Sequence, residues 1–346
     1  MSSRPESFSA FDGLLAASDE TSSPWIASAA GRRYEAHFDL LHRMLAIPIA
    51  AGDAERSESG RTVKALDAWI AHELRRAGFS AFETWPRSRQ PRVLPPEFEL
   101  LERAADRLRT ALEEAEAVLL QPMLSEAASR ASRTAKPQLR PRALRSAITA
   151  TLNAVPGTSG AQILGRYYVK QVDVGIGRWQ RGPEVLISTK SQFSSYANNR
   201  NNRYEETLGE ITNLKDRYPL AACGYAFLVR SNIREETGAL ANLRDLLLRL
   251  RQPDGPYAAT MLLVADWDND TLECSSVTDG DPQLTASQFF DDLIASVLRN
   301  TPIGVHTEVR RRRGDLIAGG VVAEPGEEDP FAGTDLDEEP VDGDRE

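Results

Sequence analysis

Asp173, Lys190 and the amides and charges that follow the lysine are the residues of this chain whose types and spacing suit chemistry on a phosphate. Lys190 closes the apolar stretch Glu-Val-Leu-Ile-Ser-Thr-Lys that begins at Glu184. Ser191 and Gln192 follow, then Asn198, Asn199, Arg200, Asn201, Asn202 and Arg203, then the adjacent pair Glu205 and Glu206. No fold needs so many amides and charges in one place. Hydrolysis of a phosphodiester does need them. Carboxylates hold a hard, oxygen-seeking divalent cation, and Mg²⁺ is the first candidate. The cation lowers the pKa of a bound water and steadies charge on the scissile phosphate. A lysine beside the attacking water orients it or stabilises the developing charge. Amides and guanidinium groups next door bond phosphate oxygens and fix the register of a duplex.

On these grounds Asp173, Ser188, Lys190, Glu205 and Glu206 are the candidate catalytic residues, and Asp173, Glu205 and Glu206 the candidate metal ligands. Gln192, Asn198, Asn199, Asn202 and Arg203 are the candidate DNA contacts. Side chains alternate along a strand, so Ser188 and Lys190 share a face while Thr189 points away. Favourable charge in a helix's first turn explains one of the two glutamates by itself, which leaves at most one for the site.

The elements that must position these groups are legible in outline. Amphipathic helices are expected over about 33–45 and 61–77, the second with Val63, Leu66, Ile70 and Leu74 on one stripe. Prolines break the chain between Pro86 and Pro96, and helices follow over about 97–120 and 142–154. The pattern then changes to strands at 167–174, 184–190, 221–230 and 259–266, with a glycine-rich hairpin or wide loop at 175–182 between the first two. Helices are expected at about 202–217, 234–251 and 285–299, the last opened by the capping box Thr285-Ala-Ser-Gln288. Strands joined through helices predict an α/β fold with a mixed sheet flanked by helices on both faces, preceded by a largely helical N-terminal region.

Composition narrows the class. The chain has 346 residues, 41% hydrophobic and 27% charged, as in ordinary globular proteins. No apolar run is long enough for a membrane helix, and the N-terminus lacks an apolar secretory core, so a cytoplasmic protein is expected. Cys223 and Cys274 make no metal-ligand pair, and His37, His42, His72 and His306 show no ligand spacing and read as surface or packing residues. Residues 322–346 carry eleven acids and one arginine, which accounts for the whole net charge of −10. The rest is neutral but uneven. Residues 127–172 contain no acid and eight basic residues, ending with Arg166 and Lys170, and Arg87, Arg89 and Arg92 and then Arg310 to Arg313 form further clusters. Clustered positive charge is the footprint of a polyanion.

At Lys190 to Gly209 the chain resembles the PD-(D/E)xK nuclease superfamily, and within it type II restriction endonucleases of the XhoI and PaeR7I kind. The run Lys-Ser-Gln, a serine, Asn-Asn-x-Asn-Asn-Arg, Glu-Glu and Leu-Gly carries the resemblance, which extends loosely over about 165–233. The resemblance implies a restriction-endonuclease-like fold, Mg²⁺-dependent cleavage of double-stranded DNA and a homodimer reading a palindrome. By position Asp173 matches the first metal-binding aspartate and Lys190 the motif lysine. Ser188 departs from the pattern, which has an acid two residues before the lysine. Some members with Ser-x-Lys recover the missing charge from a glutamate of the next helix, the place of Glu205 and Glu206 here. Without that acid the chain reads instead as a catalytically inactive DNA-binding or regulatory protein. The expected organisation is a disordered segment at 1–30, a helical region for DNA binding or dimerisation at 31–155, a nuclease core at 156–320 and a disordered acidic tail at 322–346.

Overall fold

A computed structural model of the chain describes residues 8–28, 31–52, 60–81, 83–86, 161–178, 181–196, 200–252 and 255–315. The chain divides into a unit made of 1–93 and 160–346 and a second unit of 94–159. The second unit lies outside the described residues, as do the helices expected within it, the Arg87–Arg92 loop and the acidic tail.

The described unit is built on a six-stranded mixed sheet. Its strands in chain order are β3 (Thr84–Trp85), β6 (Val174–Arg178), β7 (Gly182–Gln192), β8 (Ala222–Arg230), β9 (Ala259–Trp267) and β10 (Cys274–Asp279). Two short hairpins stand apart from it: β1 (Trp25–Ser28) with β2 (Gly31–Tyr34), and β4 (Ala161–Leu164) with β5 (Val169–Val172). Across the sheet the order is β10-β9-β8-β7-β6-β3. β7, β8 and β9 run parallel, and β6 and β10 pair antiparallel at either side of them. The helices are α1 (Asp12–Ala16), α2 (Phe38–Ala50), α3 (Arg61–Arg76), α4 (Arg200–Lys215), α5 (Ala239–Leu250), α6 (Ala286–Asn300) and α7 (Thr307–Arg313). Parallel neighbours cannot be joined by a tight turn, so α4 links β7 to β8 and α5 links β8 to β9.

Alternation along the strands sorts the interior into two cores, one on each face. Val185 and Ile187 of β7, Ala226 and Leu228 of β8 and Met261 and Leu263 of β9 pack with α2, α3 and α6. Leu186, Tyr225, Phe227, Leu262 and Val264 pack with Ile211 and Leu214 of α4 and Leu247 and Leu250 of α5. The expected α/β architecture is therefore present, with helices on both faces of a mixed sheet. α6 starts where the capping box places it, with the Thr285 side chain accepting a hydrogen bond from the Gln288 amide at 3.1 Å.

Four details differ from the sequence reading. Within the segment expected to be disordered, α1 and β1 form, and Phe11 and Trp25 are buried in the first core. The first expected helix begins at Phe38 rather than near Arg33, which belongs to β2. The strand expected at 167–174 is broken at Asp173 into β5 and β6, and β6 carries the glycines that suggested a loop. Gly175 is required there by packing, because a Cβ would lie 2.3 Å from the Trp85 ring. Finally, β10 is a strand that apolar patterning could not reveal, since Ser275, Ser276 and Thr278 are exposed at the sheet edge.

Candidate functional site

Asp173 lies at the bend between β5 and β6. β6 pairs with β7 so that Val174 is opposite Ile187, which brings Asp173 to the level of Ser188, two residues before Lys190. The Asp173 carboxylate accepts the Thr189 backbone N–H at Oδ2, 2.9 Å away. The aspartate is thus tied to the strand that carries the lysine. Ser188 and Lys190 are half-buried and face the α4 side with Leu186, while Thr189 is buried on the α3 side.

The acid beside Lys190 is neither Glu205 nor Glu206, which are both exposed on the first turns of α4. It is Glu210, one turn further along, with Oε1 at 3.9 Å from Lys190 Nζ. Lys170 of β5 donates to the same oxygen. Glu210 is only 4% exposed, and its Oε2 has no hydrogen-bond partner among the described residues. A buried carboxylate oxygen without a donor is costly unless a ligand meets it. Glu210 is buried because it falls on the inward stripe of α4, three residues after Thr207 and four before Leu214, which are both buried. That spacing was the available signal, since an acid on a helix's inward stripe is unusual. Burial holds the Tyr257 hydroxyl well above its ordinary pKa, with further pushes from Tyr225, Cys223, Glu210 and Asp173, so both carboxylates act on one region.

A second charged layer stands behind Asp173 on the α3 side. Asp67 of α3 is fully buried, accepts the Thr189 hydroxyl at Oδ1 and holds Lys64 Nζ at 3.0 Å through Oδ2. Burial pushes the Asp67 carboxyl up to about 7, against the pull of Lys64 and with a further push from Asp173. Burial would lower the Lys64 ammonium, but Asp67 and Asp173 outweigh it and hold it above its ordinary value. Thr189 therefore links the two layers, with its hydroxyl on Asp67 and its backbone on Asp173. Nothing in the sequence singled out Asp67, because its helix is buried nearly all round and the burial comes from elements distant in the chain.

The remaining expected contacts fall out as follows. The Gln192 side chain donates to the carbonyls of Ser194 and Ser195 at 3.1 and 2.8 Å, closing the turn after β7. Asn198 and Asn199 lie outside the described residues, and Asn202 and Arg203 are in the first turn of α4, their side chains outside the description. The cluster Arg310 to Arg313 is committed within the protein. Arg310 donates to the carbonyls of Leu298, Thr301 and Val305, Arg311 and Arg312 to Glu308, and Arg313 to Asp315.

The histidines are less scattered than their spacing suggests. His37, His72 and Glu73 bring possible metal-ligating atoms within 4.8 Å of one another. The atoms of two of them are engaged, however. His72 bonds Glu20 through Nδ1 and Ser18 through Nε2, at 3.0 and 3.1 Å, and Glu73 accepts from Arg76 and Tyr34. The group ties the N-terminal segment and β2 onto α3. His306 lies 3.3 Å from Glu184, whose carboxyl it and Arg181 hold below its ordinary pKa in spite of burial.

No protein-family model, no curated protein and no solved structure matches the chain. Among the described residues no helix is long and apolar enough to cross a membrane.

Proposed function

We propose that this chain is a Mg²⁺-dependent, sequence-specific endonuclease of double-stranded DNA, of the type II restriction or related defence class, acting as a homodimer. The observation that carries the reading is the Lys190–Glu210 pair, one residue along β7 from the Thr189 amide that holds Asp173, with the Glu210 Oε2 atom buried and without a partner among the described residues. Two carboxylates and no soft ligand suit a hard cation that takes oxygen donors, so the donor set fits Mg²⁺. Asp173 and Glu210 would hold it, with Glu210 supplying the negative charge that Ser188 lacks. Bound there, the metal supplies a lowered pKa for water and charge stabilisation at the phosphate.

The chain's own residues account for the rest. The Thr189 amide fixes the Asp173 carboxylate, and Asp67 and Lys64 hold Thr189 from behind. Lys190, its side chain 26% exposed, presents its ammonium from the same strand and is the group to orient the attacking water and neutralise charge on the phosphorane oxygens. Lys170 shares Glu210 with it and holds the carboxylate in place.

A second reading, a DNA-binding protein without cleavage, draws on Ser188 and on the two lysines that already meet Glu210. One experiment separates the two. Purified protein is incubated with unmethylated phage DNA and Mg²⁺, and the products are resolved by electrophoresis. Discrete fragments, absent in Lys190→Ala and in EDTA, support the nuclease. Folded protein that binds DNA in a salt-dependent way but leaves it intact with several divalent metals supports the inactive reading.

A further inference from the structure

The β4–β5 hairpin precedes Asp173 directly and is unusual in its surface. Leu164, Tyr167, Tyr168 and Val169 are 50, 69, 47 and 54% exposed, four of the seven large hydrophobic residues exposed among those described. Apolar surface concentrated on so short a ribbon marks a contact site. The ribbon contains no acid, and it carries Arg166 and Lys170. The Arg166 guanidinium stands 5.7 Å from the centre of the Tyr167 ring.

The tip is held in place from below. Asn213 of α4, buried, accepts the Tyr167 and Tyr168 amides at Oδ1 and donates to the Tyr168 carbonyl through Nδ2, at 2.8, 3.3 and 3.0 Å. The Arg166 amide bonds the Asn213 carbonyl at 2.8 Å. Gly165 packs so closely that a Cβ would lie 2.1 Å from the Asn213 amide nitrogen. The tyrosine hydroxyls reach Asp216 and the Gly209 carbonyl, each at 3.3 Å, which directs the rings without burying them. A two-stranded ribbon alone is marginal in water, so this anchoring is what keeps the rings presented. Preorganised aromatic groups lose little entropy on binding.

We propose that this hairpin is a DNA-contacting element of the nuclease site: Arg166 meets the phosphate backbone, and Tyr167 and Tyr168 pack against the sugars beside the scissile bond. The proposal rests on the nuclease reading above and adds where the substrate lies. Charge selects a polyanion, since the ribbon is basic and closes the acid-free stretch of 127–172. Position selects the substrate of this site, since Lys170 on the ribbon shares Glu210 with Lys190 and the ribbon's second strand ends next to Asp173. Tyrosine suits the role because its ring offers an apolar face beside a polar tip.

The test measures anisotropy of a labelled mixed-sequence DNA duplex with the full chain in EDTA, across a salt titration. Tyr167→Ala/Tyr168→Ala weakens binding by about 10-fold or more with an unchanged salt slope. Arg166→Ala lowers the slope by about one. Both variants keep the wild-type thermal midpoint, since the altered side chains are exposed. If the wild type binds and the double variant binds equally well, the hairpin proposal is overturned while the nuclease reading stands. Equal binding together with a smaller sedimenting species assigns the ribbon to a self-interface and overturns the proposal as well. If the wild type binds no duplex at any salt, the nuclease reading fails, and the hairpin proposal falls with it.

Discussion

Asp67 offers the sharpest quantitative prediction, because it carries a buried carboxyl that burial pushes up to about 7 from an ordinary value of 3.8. A folded-state pKa raised above the unfolded one means that the native protein binds the proton more tightly. Its contribution to stability is complete below the unfolded value and is lost as pH rises toward the folded one. A difference of one pH unit between the folded and unfolded pKa is worth about 1.4 kcal/mol. Between pH ~4.5 and ~8 the wild type should therefore lose about 3 kcal/mol through this one group. Asp67→Asn keeps an acceptor for the Thr189 hydroxyl and removes the titration. The ion pair with Lys64 forms only as Asp67 ionises, so its pull is already contained in the value of about 7. Urea unfolding of both proteins across the pH range isolates the effect as a change in their stability difference. The variant should lie close to the wild type at low pH, where both side chains are neutral, and gain on it by about 3 kcal/mol as pH rises. A difference that stays constant over the range would refute the argument that burial, rather than the Lys64 pair, governs this carboxyl.

Further outcomes are expected at other positions. Glu210→Gln should reduce Mg²⁺-dependent cleavage by about 100-fold or more while Glu206→Gln changes it little, since only Glu210 meets Lys190; rates on phage DNA at saturating metal decide it. Gly175→Ala drives a methyl into the Trp85 ring and should cost about 1–3 kcal/mol in urea unfolding, unless β3 moves aside. Thr285→Ala removes the side-chain cap of α6 and should cost about 1 kcal/mol, with Thr285→Ser restoring most of it. Asn213→Ala leaves the Tyr167 and Tyr168 amides without their acceptor and should lower the thermal midpoint by several degrees, where Tyr167→Ala does not.

The α/β class, the strands β7, β8 and β9 and the helices α3 and α6 were legible from the chain, because each is long, strongly patterned or capped by local rules. Asp173 and Lys190 could be placed near each other for a related reason. Both lie on or beside one hairpin, where pairing is nearly a local matter, and alternation alone puts Ser188 and Lys190 on a common face. β6 and β10 were not legible. Gly175 and Gly177 make β6 resemble a loop until Trp85, from a distant part of the chain, supplies the ring that excludes a Cβ at Gly175. β10 is polar because the sheet edge leaves it wet.

What the sequence determined by itself is the chemistry available: an aspartate and a lysine on paired strands, glutamates in the helix that follows, and basic residues upstream. What only the tertiary structure decided is which charges meet. Glu205, Glu206 and Glu210 share one helix, yet only Glu210 turns inward, because the rotation of α4 is set by Ile211 and Leu214 against the sheet. Asp67 joins the site from a helix far upstream in the chain, through a hydrogen bond to Thr189 that no local pattern encodes. Burial is a property of the assembled layers, and burial raises the pKa of Asp67 and encloses the Glu210 oxygen that has no partner among the described residues.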